Sequence, residues 1–480
     1  MDHIEEVLAH LPQEIVTRDQ DIISAYTTDF RRHYVGRTSA VLRPRNTEQV
    51  QHIVRACAER RVPLVPQGGN TSYCTAATPS DKGDELVVSL ERMNTVRDLD
   101  PANLSVSADA GIILSDLQQV AADADLLLPL ALGSQQSCRI GGNLSTNAGG
   151  ISVLRYGMAR DLVLGLEVVL PDGSLYSELN PLRKNNSGYD VKQLFIGAEG
   201  TLGIITAVSL KLARKPRQTV TAFLAIDDVE SLAKILAAAQ VRTGEQITSF
   251  EYISDSSLQL LLDAKAGLRR PLQGKSRHYV LLEAATASPV LNLEETVTGL
   301  LGELFEHGLI TDGTMASSGQ QRAEFWHLRE SIPEAEVHHG GSVKHDVAVR
   351  TSRLSAFIEA ASRIVEQNAE GAVASVYGHV GDGNVHFNLV PPALSDKGEF
   401  KSRLAREISP QIYRLAAEME GTFSAEYGIG RVKMDLLERY GAPGKLRLMR
   451  AIKTALDPDG IMNPGKVIPS FEETRLMSHK

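Results

Sequence analysis

Apolar residues recur along this chain with two spacings, and each switch between them marks an element. Over 47–60 they fall at Val50, Ile53, Val54 and Ala56, the three-to-four spacing of a helix with one buried face, behind a polar start at Thr47. Short apolar runs at 41–42 and 62–65 flank this helix and predict strands, as do 86–90, the stretch from 96, and 105–110. A further strand at 162–170 ends in the turn Pro171-Asp172-Gly173, and an alternating strand runs up to Leu212. Beyond residue 216, strands at 220–226, 247–253 and 278–283 alternate with helices at 229–238 and 291–306, which suits an α+β domain. Residues 1–35 read as an amphipathic helical lead-in. No internal repeat interrupts the pattern.

Three stretches break the periodicity with glycine. The 62–65 strand runs into Pro66-Gln67-Gly68-Gly69-Asn70-Thr71-Ser72. Consecutive glycines and small polar residues at a strand end can offer backbone N–H groups to an anion, or simply form a tight turn. No Gly-Lys-Ser/Thr follows, so this is not a Walker loop, and the spacing is not that of a Rossmann fingerprint. The second stretch runs from Gly133 and Ser134 through Ser137, Ile140-Gly141-Gly142 and Thr146-Asn147-Ala148 to Gly149-Gly150. So many glycines and small polar residues are costly in a helix or strand. They suit a backbone wrapped closely around a ligand with phosphates and a planar ring. The third stretch is Gly197-Ala198-Glu199-Gly200-Thr201-Leu202-Gly203-Ile204-Ile205.

Composition narrows the class. A chain of 480 residues is too long for one hydrophobic core, and 42% hydrophobic with 23% charged content is ordinary for a soluble globular protein. The net charge of -9 is spread without a basic block, which argues against nucleic acid as a partner. Three cysteines without a C-x-x-C pair favour a reducing compartment and exclude a self-contained iron–sulfur cluster. The acidic N-terminus lacks signal-peptide character, and no apolar run reaches 18 residues, so a cytoplasmic protein without a transmembrane segment is expected.

One stretch carries metal-ligand chemistry: Tyr377-Gly378-His379-Val380-Gly381-Asp382-Gly383-Asn384-Val385-His386-Phe387-Asn388, with Glu426 some forty residues on. Two imidazoles and a carboxylate are borderline ligands that leave a coordination position open. The spacing suits two strand ends joined by a tight turn rather than one helix face. Two unrelated histidines would read the same way.

Together these motifs resemble the flavin-linked oxidase superfamily typified by vanillyl-alcohol oxidase and p-cresol methylhydroxylase. Within it, the likeness is to the D-2-hydroxyacid dehydrogenase branch that includes D-2-hydroxyglutarate dehydrogenase. The resemblance spans roughly residues 36–470 and includes the late Asn463-Pro464-Gly465-Lys466 motif. It implies an α+β protein with a two-subdomain FAD-binding domain over 36–215. An α+β cap domain over 216–434 would carry the metal, and a C-terminal segment over 435–480 would pack back on the FAD domain. The implied FAD contacts are Pro66, Gly68, Gly69, Asn70 and Thr71; Gly133, Ser134, Ser137, Ile140, Gly141, Gly142, Thr146, Asn147, Gly149 and Gly150; Gly200, Thr201, Gly203, Ile204 and Ile205; and Asn463. Asn70 stands where members with tethered flavin often carry histidine, so dissociable FAD is expected.

The same resemblance places Arg329, in Trp326-His327-Leu328-Arg329-Glu330, on a substrate carboxylate, a role that suits the planar guanidinium fork. Lys344 would contact a second acidic end or the C1 carboxylate, and Asn388 would lie beside the substrate. His379, His386 and Glu426 match the family's divalent-metal ligands, with zinc expected first and manganese or iron compatible. The expected reaction is oxidation of a D-2-hydroxyacid of the 2-hydroxyglutarate, lactate or malate class, with electrons passed to electron-transfer flavoprotein or a quinone. Alternatives are an oxygen-using alcohol oxidase or the flavin subunit of a glycolate-oxidase-like complex; a homodimer is compatible.

Two positions depart from the family. Tyr427 stands where a histidine is the presumed general base, and a phenol with a pKa near 10 is a poor base. Three readings are open: Tyr427 acts through its hydroxyl, another histidine such as His345 substitutes, or the metal suffices. Pro333 stands where glutarate-specific members carry a hydroxyl residue, which weakens 2-hydroxyglutarate as the substrate. His338 and His339, read on a strand, would point oppositely as polar surface.

Overall fold

The computed structural model describes residues 3–393 and 395–468; the outer ends of the expected lead-in and C-terminal segment lie outside them. The chain divides into two compact units. One comprises Met1–Gly149, Met158–Lys215 and Glu426–Lys480, and the other Gly150–Gly157 and Pro216–Ala425. The second crossing back therefore falls at 425/426 rather than at 434, and an eight-residue piece of the expected FAD domain belongs with the cap.

In the first unit the expected lead-in helix is two helices, His3–His10 and Gln20–Thr27, with the short strand Val16–Thr17 between them. Pro12 cannot continue the first helix, and Asp19 starts the second by accepting a hydrogen bond from Asp21 N–H at 3.0 Å. The Thr47–Arg60 helix forms where its periodicity predicts, with Asn46 as its cap and Val50, Ile53, Val54 and Cys57 buried. Strand Leu64–Gln67 pairs in parallel with Leu86–Ser89 in a four-stranded sheet. A separate five-stranded antiparallel sheet contains Val163–Val169 and Ile204–Lys211. Ile140–Ser145 is a short helix, not a loop, despite its two glycines. A Cβ on Gly141 would lie 2.7 Å from the Cβ of Ala110, so close packing outweighs the helix cost of glycine there.

The second unit is built on a seven-stranded antiparallel sheet. Its order is Asp312–Met315, Gln218–Ile226, His278–Thr286, Ile247–Ser254, Val373–Gly378, Asn384–Val390, Asp346–Ala348. Phe223, Tyr279, Phe325, Trp326 and Leu328 share one core cluster, which seats the Gly319–Glu330 helix. Trp326 anchors that helix further by donating Nε1–H to Glu283 at 2.8 Å. The next helix, Ile332–His338, starts with Pro333 in its first turn, where a missing N–H costs nothing. His338 and His339 close this helix instead of lying on a strand, and His339 Nε2 bonds the carbonyl of Leu260 at 3.0 Å.

Candidate active site

Sheet register assembles the site. Tyr377 pairs across the strands with His386, and His386 with Asp346, so the three side chains share one face. Asn388, two residues beyond His386, lies on that face. So does Glu251, two residues before Ile253, the register partner of Tyr377. His379 follows directly on the Val373–Gly378 strand, in the turn that leads back to Asn384. That turn requires Gly383, which has φ +87° and whose added Cβ would lie 2.1 Å from the carbonyl oxygen of Val349.

The two imidazoles stand edge to face with centroids 5.7 Å apart. Nδ1 of His379 lies 2.7 Å from Oε1 of Glu251, a carboxylate buried to 1% exposure, so this nitrogen carries the proton and Nε2 presents its lone pair. Nδ1 of His386 faces Oδ1 of Asp346 at 3.8 Å. Asp346 also accepts from the N–H of Ala425 at 3.1 Å, which fixes the chain one residue before Glu426. Ligand atoms of His379, His386 and Glu426 all lie within 4.8 Å of one another. Two neutral imidazoles oriented by carboxylates, plus one further carboxylate, make a donor set that fits a divalent metal.

Arg329 is 6% exposed, and its Nε donates to Oε2 of Glu251 at 2.8 Å. Its guanidinium lies 4.8 Å above the Tyr377 ring. Burial raises the Glu251 carboxyl, but its electrostatic contacts and hydrogen bonds with His379 and Arg329 outweigh it, so the group sits below the ordinary carboxylate range. Lys344 Nζ donates to Oε2 of Glu336 at 2.9 Å, and Ser342 Oγ to the same oxygen at 2.7 Å. Asn388 Nδ2 bonds Glu336 at 3.0 and 3.2 Å and the Tyr377 hydroxyl at 3.2 Å. Lys344 and Asn388, expected against substrate, thus already share a fully buried carboxylate. Glu251, Glu336, Asp346 and Tyr377 were not among the expected site residues, and their signal lies in register and tertiary pairing rather than in local sequence.

His345 is not a substitute base. It is fully buried rather than on a strand surface, donating Nδ1–H to the carbonyl of Phe387 at 2.6 Å, with Nε2 2.8 Å from Ser409 Oγ. Tyr427 is half-buried and stacks on Tyr73, centroids 4.7 Å apart, with Lys433 Nζ 5.6 Å from its ring.

In the first unit the glycine-rich stretches converge. Gly68 approaches Gly142 so closely that an added Cβ would lie 3.4 Å from its Cα, and a Cβ on Gly69 would lie 2.2 Å from the carbonyl oxygen of Ser137. Gly69 and Gly141 are therefore required by the protein's own packing. Beside Gly133 there is nothing within 4 Å, and beside Gly142 only the Cα of Gly68 at 3.9 Å, which leaves an open cradle. Asn70 and Asn147 hold φ near +50°, and their side chains bond the carbonyl of Thr28 and the N–H of Arg160. Thr146 and Thr201 back-bond to Gly142 and Ala198, and Ser137 to Ser134. Pro66 lies in the Leu64–Gln67 strand and packs at Gly200, while Gly203, Ile204 and Ile205 lead into the buried Ile204–Lys211 strand. Gly149 is buried; Gly150, with φ +94°, belongs to the second unit. Thr71 is half-buried. Asn463 donates Nδ2–H to the carbonyls of Ala76 and Glu199, while its Oδ1, with Thr75 Oγ1 and Thr78 Oγ1, is buried without a hydrogen-bond partner. Open space at Gly142 and buried polar atoms without partners among the described residues fit a polar, phosphate-bearing cofactor such as FAD.

These features define an FAD-dependent oxidoreductase. An FAD binding domain model matches residues 38–177, and the model for the C-terminal domain of FAD linked oxidases matches residues 215–467. The chain belongs to the FAD-linked oxidase family.

Its sequence is 38% identical to the mitochondrial D-2-hydroxyglutarate dehydrogenase of Danio rerio, over 96% of this chain and 84% of that one. It is 36% identical to the D-2-hydroxyglutarate dehydrogenase of Stutzerimonas stutzeri, over 95% and 96%. A D-2-hydroxyglutarate–pyruvate transhydrogenase of Saccharomyces cerevisiae is likewise 36% identical, over 93% and 90%. Among solved structures, p-cresol methylhydroxylase with substrate bound shares the fold at a TM-score of 0.73 and 16% identity, covering 97% of this chain and 96% of that one. Among the described residues, no helix is long and apolar enough to cross a membrane.

Proposed function

We propose that this chain oxidises a D-2-hydroxyacid to the 2-oxoacid, transferring hydride from C2 to N5 of non-covalently held FAD, with a divalent metal, zinc first, on His379, His386 and Glu426. The observation that carries the reading is the grouping of those three donors, one of which, His379, shares the buried carboxylate of Glu251 with Arg329. The names of the relatives favour a dehydrogenase over an oxygen-using oxidase. When bound, the flavin supplies the hydride acceptor and the metal a Lewis acid that lowers the pKa of the substrate hydroxyl.

The chain's own residues bind and orient. Arg329 has Nε committed to Glu251, so its Nη groups are the part of the fork that pairs with the substrate C1 carboxylate. Tyr377 beneath the guanidinium and Glu251 beside it hold that fork still. Glu251 and Asp346 occupy the Nδ1 sides of the two histidines and so aim both Nε2 atoms the other way. Tyr427, the residue after Glu426, hydrogen-bonds the substrate hydroxyl through Oη, and the hydroxyl proton is released to solvent. With no nicotinamide motif in the sequence, electron-transfer flavoprotein or a quinone would be the electron acceptor.

The test is anaerobic flavin reduction by a panel of D- and L-2-hydroxyacids, with and without chelator. Bleaching by D-acids only, abolished by chelator and restored by zinc, is the expected result. Chelator-insensitive bleaching rejects the metal's role, and bleaching by no hydroxyacid rejects the reaction.

A further inference from the structure

Resting on the hydroxyacid reading, we infer that Glu336 is a specificity-determining residue: it cancels the charge of Lys344 from within the protein and makes the site select a 2-hydroxyacid with an uncharged side chain over a dicarboxylic one.

Glu336 has no solvent exposure, and all its partners are donors from this chain: Lys344 Nζ at 2.9 Å, Ser342 Oγ at 2.7 Å and Asn388 Nδ2 at 3.0 Å. A carboxylate buried this completely calls for a paired cation, and Lys344 supplies it. The Lys344 side chain retains 12% exposure, while the carboxylate that balances its charge has none. Arg329 differs: the carboxylate it meets, Glu251, is shared with His379, and only its Nε is committed there, which leaves the Nη groups for a substrate. One carboxylate of the substrate engages the Arg329 fork. A second would reach a lysine already paired with a buried anion, and like charges brought together in such a site are strongly disfavoured. Pro333, one turn earlier on the same face, has neither a side-chain hydroxyl nor a backbone N–H.

The competing explanation is a purely structural ion pair. It predicts that removing Glu336 slows all substrates alike, whereas a specificity role changes their ratio. The experiment is rapid anaerobic flavin reduction in the full-length, FAD- and metal-loaded enzyme, comparing D-2-hydroxybutyrate with D-2-hydroxyglutarate. The wild type is expected to prefer the monocarboxylate. Glu336→Gln, which keeps the side-chain shape and frees the ammonium, is expected to shift the ratio of specificity constants towards the dicarboxylate by about tenfold or more. The non-reacting diacid glutarate is expected to bind Glu336→Gln more tightly than wild type, read from the perturbed flavin spectrum, with butyrate unchanged. The double variant Glu336→Leu with Lys344→Met, which removes both charges, is expected to keep the wild-type preference. A wild type that prefers D-2-hydroxyglutarate, or a Glu336→Gln variant that slows both acids equally, overturns the inference and leaves the hydroxyacid reading standing. Reduction by neither acid, nor by any other 2-hydroxyacid, overturns both.

Discussion

Glu251 Oε1 lies 2.7 Å from Nδ1 of His379, and the other oxygen of the same carboxylate accepts Nε–H of Arg329 at 2.8 Å. One buried side chain therefore orients both a proposed metal donor and the proposed carboxylate grip. Glu251→Gln is expected to weaken metal affinity by about 10–100-fold and to raise KM for the hydroxyacid. Metal content after dialysis against a graded chelator checks the first, and circular dichroism confirms that the variant is folded. Unchanged metal retention would leave His379 oriented by something else.

Tyr427 stacks on Tyr73 through its ring, and Phe would preserve that stacking. Tyr427→Phe thus removes only the hydroxyl. A fall of about tenfold or more in the rate of flavin reduction is expected if Oη handles the substrate proton, with little change in thermal stability. An unaltered rate removes the phenol from the mechanism.

Gly383 has no room for a side chain beside the carbonyl of Val349 and holds a positive φ. Gly383→Ala is expected to cost about 1–3 kcal/mol of stability and to lower metal retention, because the turn it strains spaces His379 from His386. Melting temperature and metal content, measured on one preparation, check both.

Burial pushes the Glu199 carboxyl up to about 7, against the hydrogen bonds it accepts from the N–H groups of Ile429 and Gly430. In the unfolded chain the group titrates near its ordinary 4.5. Between these two values the folded chain holds a proton that the unfolded chain has released. Stability from this group is therefore full below about pH 4.5 and is lost as pH rises through about 7. Glu199→Gln stays uncharged throughout, so its melting temperature is expected to fall less than the wild type's across that window.

The sequence made the donors visible and hid what holds them. His379, His386 and Glu426 stand out because few residue types ligate metal and the glycines between the histidines imply a turn. The Thr47–Arg60 helix is legible because its apolar spacing, polar start and length all agree. Glu251, by contrast, is one acidic residue in an ordinary strand, 128 positions from His379. Only the pairing of Ile253 with Tyr377 brings it to the site. Glu336 resembles any helix carboxylate until its burial is known. The glycines of Ile140–Ser145 misled in the opposite direction, since local cost suggested a loop where contact with Ala110 selects a helix.

The first unit draws on three separated lengths of chain, ending with Glu426–Lys480. Its late contacts, Leu64 with Ile461 and Asn463, Cys74 with Gly428, and Glu199 with Ile429 and Gly430, all join residues that precede Pro216–Ala425 to residues that follow it. During synthesis on the ribosome the cofactor-binding unit cannot close until the entire second unit has emerged. Neither unit can be exchanged between proteins, or expressed alone, by a single cut in the gene.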